Sequence, residues 1–480
     1  MQRMHGIDAF SIYSETPTAP FTTLKVVIYR PVDENDAPDS DEVRRFVTER
    51  ISMLGVAGAR MRVVRVPFDL HHPVWVADPD YSPDDHIYQA ALPSPGDKAQ
   101  LCGFLSDLMG RPLDPNRPLW EIWLVEGLEG GRIAAAIKVH HSLADGRTTA
   151  ALIAKSHSQT VAEEVPTGGC LGEPIPGKSR LIRDALIDLF NTYTDELPSF
   201  YRELRQARRG SAAIEVAGEK AETPQPAPFT VLNEKGGGRY RIYRYETFSL
   251  SELKALSKIF DCTLNTLVMG ICSEALKRYL SEVDTLPSAP LLAAMPMGDQ
   301  GGSTRRTRLH SGPPNNSLAV AIVPLHQGIA DFGQRLQAIK RSSQAAIERV
   351  RRSYGKRLDN YLEFLPGTFI RRMNAVMARQ QAKRENPYAN VVISNVPGPR
   401  HTLYALDGRL EMVELLSTGN LTDLGNLNIT VWSYVDNLCF SFYMRKGVLP
   451  EPEKIPGHVR EVVEGLRGLY LADESPLQAS

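Results

Sequence analysis

Apolar residues recur every three or four positions in DEVRRFVTERISML (41–54) and DKAQLCGFLSDLMG (97–110), the spacing of helices that bury one face. FTTLKVVIYRP (21–31) and RIAAAIKVHH (132–141) are instead short apolar runs with the length of strands. The alternation predicts an α/β body reaching to about residue 155. TVAEEVPTGGCLGEPIPGKS (160–179) then concentrates proline and glycine, which neither helix nor strand can run through. Residues 180–209 read as helical, and AGEKAETPQPAPFTVLNEKGGG (217–238) breaks the chain again.

A second body begins near Arg239. It opens with a strand candidate, YRIYRYETFSL, followed by LSELKALSKIFDCTLNTLVMGICSEALKRYL, which keeps helical spacing on both sides of a short interruption. LAVAIVPL, ANVVISNVP, NLNITVWSYV and LCFSFYM read as further strands. The chain therefore divides into 1–159, a linker with a helical segment over 160–238, and 239–480. No short repeat is present, which excludes a solenoid.

Composition adds boundaries rather than identity. With 480 residues, 42% hydrophobic and 23% charged, the chain can build a sizeable core, and a net charge of -1 argues against nonspecific nucleic-acid binding. Cys102, Cys170, Cys262, Cys272 and Cys439 lie far apart with no metal-ligand spacing, so they read as reduced thiols of a cytoplasmic protein. No secretory signal or membrane-spanning run is evident, and the chain is expected to be soluble or at most peripheral. From Arg335 to Arg384 basic residues far outnumber acidic ones, above an apolar helical face of Phe332, Leu336, Ile339, Ile347 and Val350. That stretch reads first as a solvated helix face, and second as a contact for anionic lipid or ligand phosphates.

HHSLADG (140–146) is the strongest chemical candidate. Strand alternation places Ile133, Ala135, Ile137, Val139 and His141 on one side, with Lys138 and His140 on the other, so two adjacent imidazoles do not converge on one metal ion. One histidine suffices as a general base near neutral pH, and Asp145-Gly146 supplies a turn. No GxSxG nucleophile elbow accompanies it. Taken alone, the residues leave open a base, a metal ligand and a satisfied core pair.

The surroundings carry a resemblance. HHSLADG fits HHxxxDG, and GIDAFSIYSETPTAPFTTL, DPDYSPDDHIYQAALPSPGDKAQL and RPLDPNRPLWEIWLVEGLEGG precede it. Together with SNVPGP (Ser394 to Pro399) and LGNLNITVWSYVDNLCFSF, these segments resemble the bacterial wax ester synthase / acyl-CoA:diacylglycerol acyltransferase family across nearly the whole chain. The resemblance implies a two-domain α/β fold of the CoA-dependent acyltransferase type, similar to chloramphenicol acetyltransferase, with the active site between the halves. It implies His141 as general base beside His140, with Asp145 and Gly146 shaping the turn and Asn265 as a candidate donor to the reacting groups. Pro118, Leu119 and Trp120 (the PLW motif) and Ser394 and Asn395 are implied as substrate-binding, although Trp120 and Trp123 also read as core. His71 and His72, which lack a following DG, read as surface or packing residues.

Two positions depart from the family's pattern. Its Asn-Asp pair falls at Asn265 and Thr266, and PMGDQ (296–300) replaces a segment that usually carries an arginine. The expected reaction moves a long-chain acyl group from acyl-CoA to diacylglycerol, with a long-chain alcohol giving a wax ester as the alternative acceptor. Acyl-CoA is a substrate, and no metal or other cofactor is expected. Apolar acceptors imply peripheral contact with the inner membrane face or lipid inclusions. A reading from another class is a homologue that binds acyl-CoA or lipid without turnover. A condensation-domain role would call for neighbouring carrier domains, which a chain filled by two family halves is not expected to hold.

Overall fold

The strands predicted from the apolar runs assemble into two six-stranded sheets. The computed structural model describes residues 1–53, 57–143, 152–157, 174–198, 201–202, 205, 226–297, 319–352, 361–383, 387–421 and 425–474. In the first sheet, β2 (Thr22–Pro31) and β7 (Arg132–His140) lie at the centre, flanked by β6 (Trp120–Leu128) and β5 (Ile87–Ala91). β1 (Gln2–Arg3), β4 (Val74–Ala77) and β3 (Met61–Val64) make a small separate sheet. Helices α1 (Gly6–Ser14), α2 (Ser40–Met53) and α3 (Lys98–Met109) belong to the same half, and Asp97 and Gln100 cap α3 reciprocally.

β2 and β7 are almost continuously apolar because both faces of the sheet are covered. Ala134 and Ala136 pack with Leu24, Val26 and Ile28 beneath Leu101, Leu105 and Leu108 of α3. The alternate residues, Ile133, Ala135 and Val139, join Val27, Tyr29 and Trp120 in a second cluster on the opposite face. The expected strand parity is thus realised, and burial occurs on both sides.

The second sheet runs β10 (Val320–Pro324), β9 (Leu292–Pro296), β11 (Val391–Val396), β14 (Leu427–Tyr434), β15 (Asn437–Arg445) and β8 (Arg241–Ser249). α4 (Lys178–Asn191) lies in the linker region, and a π turn over Thr192–Glu196 continues it. The helical expectation over 180–209 is met by α4 to Asn191, by the π turn after it, and by helical backbone at 197–198, 201–202 and 205, while 199–200, 203–204 and 206–225 lie outside the described residues. α5 (Leu250–Ile259) and α6 (Leu264–Val283) realise the interrupted helical pattern. Asp261 takes a left-handed φ of 45° between them, and the Thr263 side chain caps α6. α7 (Phe332–Arg352), α8 (Gly367–Lys383) and α9 (Lys454–Glu474) complete the described helices.

Residue 239 divides the chain but not the sheets. β12 (Tyr404–Ala405) and β13 (Leu410–Thr418) leave the second portion and extend the first sheet, β13 pairing antiparallel with β2. The junction is apolar as well as hydrogen-bonded: Tyr243, Tyr245, Cys439 and Tyr443 share a cluster with Leu24, Leu105, Ala136 and Leu416. Buried Arg241 also reaches across, donating to the Thr18 carbonyl at 2.6 Å, and buried Arg445 donates to the same oxygen at 3.1 Å.

The basic stretch resolves unevenly. On α7, Leu336 and Ile339 are core residues, Arg335 is buried in an ion pair with Glu274 at 2.6 Å, and Lys340 pairs with Asp261 at 3.1 Å. His71 and His72 are buried rather than superficial, and His72 Nε2 donates to the Leu362 carbonyl at 2.8 Å. Among the described residues no single helix is long and apolar enough to cross a membrane. α5 and α6 together have the composition, but they meet at 92° and line the main core of the second half.

Candidate active site

β7 ends at His140, where the main chain turns. The His140 N–H donates to the Leu119 carbonyl at 2.9 Å, the His141 N–H to the Phe21 carbonyl at 2.8 Å, and the Leu143 N–H back to the His140 carbonyl at 3.0 Å. Both histidines are thus held by backbone bonds to different elements, and PLW contributes through its main chain. Pro118, Leu119 and Trp120 are buried. Trp120 donates from Nε1 to the Ala59 carbonyl at 2.8 Å and stacks on His86 at 4.5 Å, so its indole is a core element supporting the turn.

The two imidazoles have different surroundings. His140 is 1% exposed, and its Nδ1 accepts the Ser142 N–H at 3.1 Å, with Ser142 Oγ at 2.7 Å. A neutral ring accepting at Nδ1 carries its proton on Nε2, which faces the Glu15 carboxylate at 3.8 Å. Burial, with the neighbouring His141 adding to it, pushes the His140 pKa down to about 3. His141 is half-buried and lies edge-on to Phe21, ring centroids 6.1 Å apart. Sequence parity required that one histidine be chosen; the fold distinguishes them by burial.

Sequence reasoning missed Glu15 and Lys138. Glu15 follows α1 and accepts the Phe21 N–H at 3.3 Å, which ties the loop that holds His141 to the carboxylate that faces His140. Burial raises its pKa. Lys138 is fully buried on the same strand face as His140, donates to the Arg111 carbonyl, lies 3.9 Å from Glu121, and is pushed down to about 8 by desolvation. The only advance signal was a lysine in an otherwise apolar strand. Thr22, the cross-strand partner of His140, buries a hydroxyl that makes no hydrogen bond, and His140 Nε2 makes none either. Orphaned polar atoms in such a place are what an incoming substrate or its transition state can satisfy.

Asp145 and Gly146 lie outside the described residues, as do Gly298 to Gln300 of PMGDQ, Asn315 and Asn316. Asn265 stands in the first turn of α6, where its amide donates to Met295 Sδ at 3.3 Å. Sulfur is a weak acceptor, so this amide is readily given to a better one. Thr266, where the family pattern has Asp, is buried and joins its hydroxyl to Thr263 Oγ1 at 2.9 Å, beside the Thr263 cap of its own N–H at 3.1 Å. The departure is absorbed into helix capping. Thr266→Val is expected to cost about 1 kcal/mol, read from urea unfolding midpoints, because it removes that one hydrogen bond and preserves shape.

Ser394 and Asn395 are half-buried near the end of β11, opposite Thr430 and Val431 of β14. β9 pairs with β11 only at Val391 and Val392, so both motif residues lie beyond that ladder. The following Gly398 donates its N–H to Ser433 Oγ at 3.2 Å.

The His140 environment predicts a pH response. In the unfolded chain the ring titrates near its ordinary 6.5, whereas in the fold it stays neutral to about 3. Below 6.5 the unfolded state takes up a proton that the native state refuses. Stability is therefore full above that pH and lost as pH falls through this window. Between pH 7 and 5.5 the loss is expected to be about 1 kcal/mol, measured as the extra destabilisation of the wild type over His140→Asn in denaturant titrations.

The family model for the wax ester synthase/diacylglycerol acyltransferase catalytic domain matches residues 4–268, and that for the WS/DGAT C-terminal domain matches 315–467. A Mycobacterium tuberculosis relative, named as a diacylglycerol O-acyltransferase, is 31% identical over 449 residues, covering 92% of each chain. The O-acyltransferase WSD of Acinetobacter baylyi is 27% identical over 488 residues, covering 99% of each. Among solved structures, the wax ester synthase/diacylglycerol acyltransferase of Marinobacter aquaeolei aligns with a TM-score of 0.64 at 22% identity, over 97% of this chain and 98% of that one. The first condensation domain of the calcium-dependent antibiotic synthetase aligns at 0.56 and 13%, over 97% and 95%. The fold is accordingly the two-domain acyltransferase and condensation-domain fold, and the chain belongs to the wax ester synthase/diacylglycerol acyltransferase family.

Proposed function

We propose that this protein transfers a long-chain acyl group from acyl-CoA to the free hydroxyl of diacylglycerol, yielding triacylglycerol and free coenzyme A. The observation that carries this reading is the unequal pair at the end of β7, one imidazole buried and neutral, the next half-buried at the turn. His141 takes the hydroxyl proton as the oxygen attacks the thioester carbonyl carbon. The tetrahedral intermediate collapses with cleavage of the C–S bond, and the thiolate leaves with the proton that His141 returns. His140, held through Ser142 and facing Glu15, positions the turn. Asn265 is the candidate donor to the developing oxyanion, since its present acceptor is weak. Neither a metal nor a bound redox group has a step in this scheme.

A long-chain alcohol, giving a wax ester, is the second acceptor, supported by the names of the Marinobacter and Acinetobacter relatives' family. Purified protein incubated with labelled palmitoyl-CoA and either diacylglycerol or hexadecanol, with the esters separated, decides between them. No ester above that made by His141→Ala with either acceptor overturns the enzymatic reading and favours a protein that binds acyl-CoA without turnover.

A further inference from the structure

Six large apolar side chains stand in solvent on three segments that pack together. α4 buries Leu181 and Ala185 against the body and is anchored by Asp188 to Arg3 at 2.6 Å. Its opposite face presents Leu186, Ile187 and Phe190, all about half or more exposed, flanked by Arg180 and Arg183, which both pair with Asp184. The helix is therefore apolar on both sides, whereas a helix facing only water would be polar on its outer one. α4 and α8 both rest on the turn Pro67–Asp69, Arg371 of α8 pairs with Asp69, and the Tyr193 hydroxyl after α4 donates to the Phe364 carbonyl just before α8.

Phe68 projects from that shared turn. Its backbone sits in the left-handed region at φ 60°, and its side chain is 78% exposed, so the chain accepts an unfavourable conformation to display an aromatic ring. On α8, Phe369 and Val376 are exposed beside Arg372 and Arg379, and no acidic residue occurs anywhere in the helix. Apolar tips among arginines, without carboxylates on α8, complement a bilayer whose headgroups are anionic and whose interior begins just below them.

We propose that α4, the Phe68 turn and α8 form the surface by which this protein sits on an anionic lipid bilayer. The inference rests on the proposed function for its purpose, since a diacylglycerol or alcohol acceptor is dissolved in such a bilayer. It gives a role to Arg372 and Arg379 of the basic stretch.

Co-sedimentation with vesicles tests it, using phosphatidylcholine with and without phosphatidylglycerol. The wild type is expected to bind the mixed vesicles more tightly than phosphatidylcholine alone and to lose that preference in high salt. The triple variant Phe68→Ser, Phe190→Ser, Phe369→Ser is expected to bind at least about tenfold more weakly, while keeping its thermal transition, because all three rings are exposed. Arg372→Glu with Arg379→Glu is expected to abolish the preference for the anionic vesicles. Vesicle binding by the triple variant equal to the wild type overturns the proposal. So does a wild type that binds neither vesicle, or a triple variant that only changes from dimer to monomer by light scattering. Acyl transfer to acceptor dispersed in detergent separates the two readings. Transfer without vesicle binding refutes the docking surface alone, and vesicle binding through this surface without transfer refutes the catalytic reading alone.

Discussion

Replacing His141 by alanine is expected to lower acyl transfer by roughly 10² to 10⁴, the usual contribution of a positioned general base. Binding of acyl-CoA and the unfolding midpoint should change little, because the half-buried ring takes no part in the three backbone bonds that fix the turn. The same substitution at His140 should behave differently. That ring is buried, accepts the Ser142 N–H and faces Glu15, so its loss opens a cavity and strands polar groups as well as disturbing the turn. Measuring kcat, KM and denaturant stability for both variants separates the roles: a rate defect without a stability defect for His141, and both defects together for His140. Equal rate defects with equal loss of stability would remove the functional distinction drawn from burial. A pH-rate profile adds an independent reading. A ring that stays neutral down to about 3 cannot produce a limb near neutrality, so any such limb excludes His140 as its source.

The second large effect is expected from Gly398→Ala. A Cβ built at Gly398 would lie 2.0 Å from the Ser433 carbonyl oxygen and 3.7 Å from Leu415, which belongs to the strand that crosses into the first sheet. The close partner is backbone within the β14 ladder, so it cannot step aside as a flexible side chain could. Relief requires the segment after β11 to move away from β14, breaking the Gly398 N–H bond to Ser433. The cost is expected near the upper end of overpacking substitutions, about 3 kcal/mol, read as a lowered denaturant midpoint. Ser394→Ala at the half-buried position on the same strand should cost far less, under about 1 kcal/mol. The glycine of SNVPGP is thus explained by close approach of the segment after β11 to the Ser433 carbonyl of β14, before any contact with substrate is considered.

Much of the architecture was legible in local pattern. The strand-like runs marked β2, β7, β8, β10, β11, β14 and β15 to within about two residues at their ends, because a central strand covered on both faces is apolar along its length and the edge strands β8 and β10 alternate. The interruption at Asp261 and Cys262 showed as a break between two helical patterns, and the fold turns there. Less visible was the crossing of β13. LEMVELLST is not among the runs that read as strands, and it joins the edge of β2 that β7 leaves open. The helical expectation after residue 180 holds at every described residue as far as 205, with a π turn over Thr192–Glu196 that local pattern did not show. Past Asn191 the segment is supported by Tyr193 and Leu197 against Phe364.

The sequence by itself determined the family, the two α/β bodies, and the placement of an HHxxxDG turn at the end of a strand, because these depend on residue types at short, fixed separations. Only the tertiary structure decided which histidine is sequestered, that the partly exposed Glu15 carboxylate and the buried Lys138 lie beside it, and that Thr266 serves as part of a helix cap. It alone also gathered Phe68, Phe190 and Phe369 onto one surface. The physical reason is that spacing along a chain reports which face of an element is apolar. Burial, pKa and exposure depend on what distant elements bring against that face.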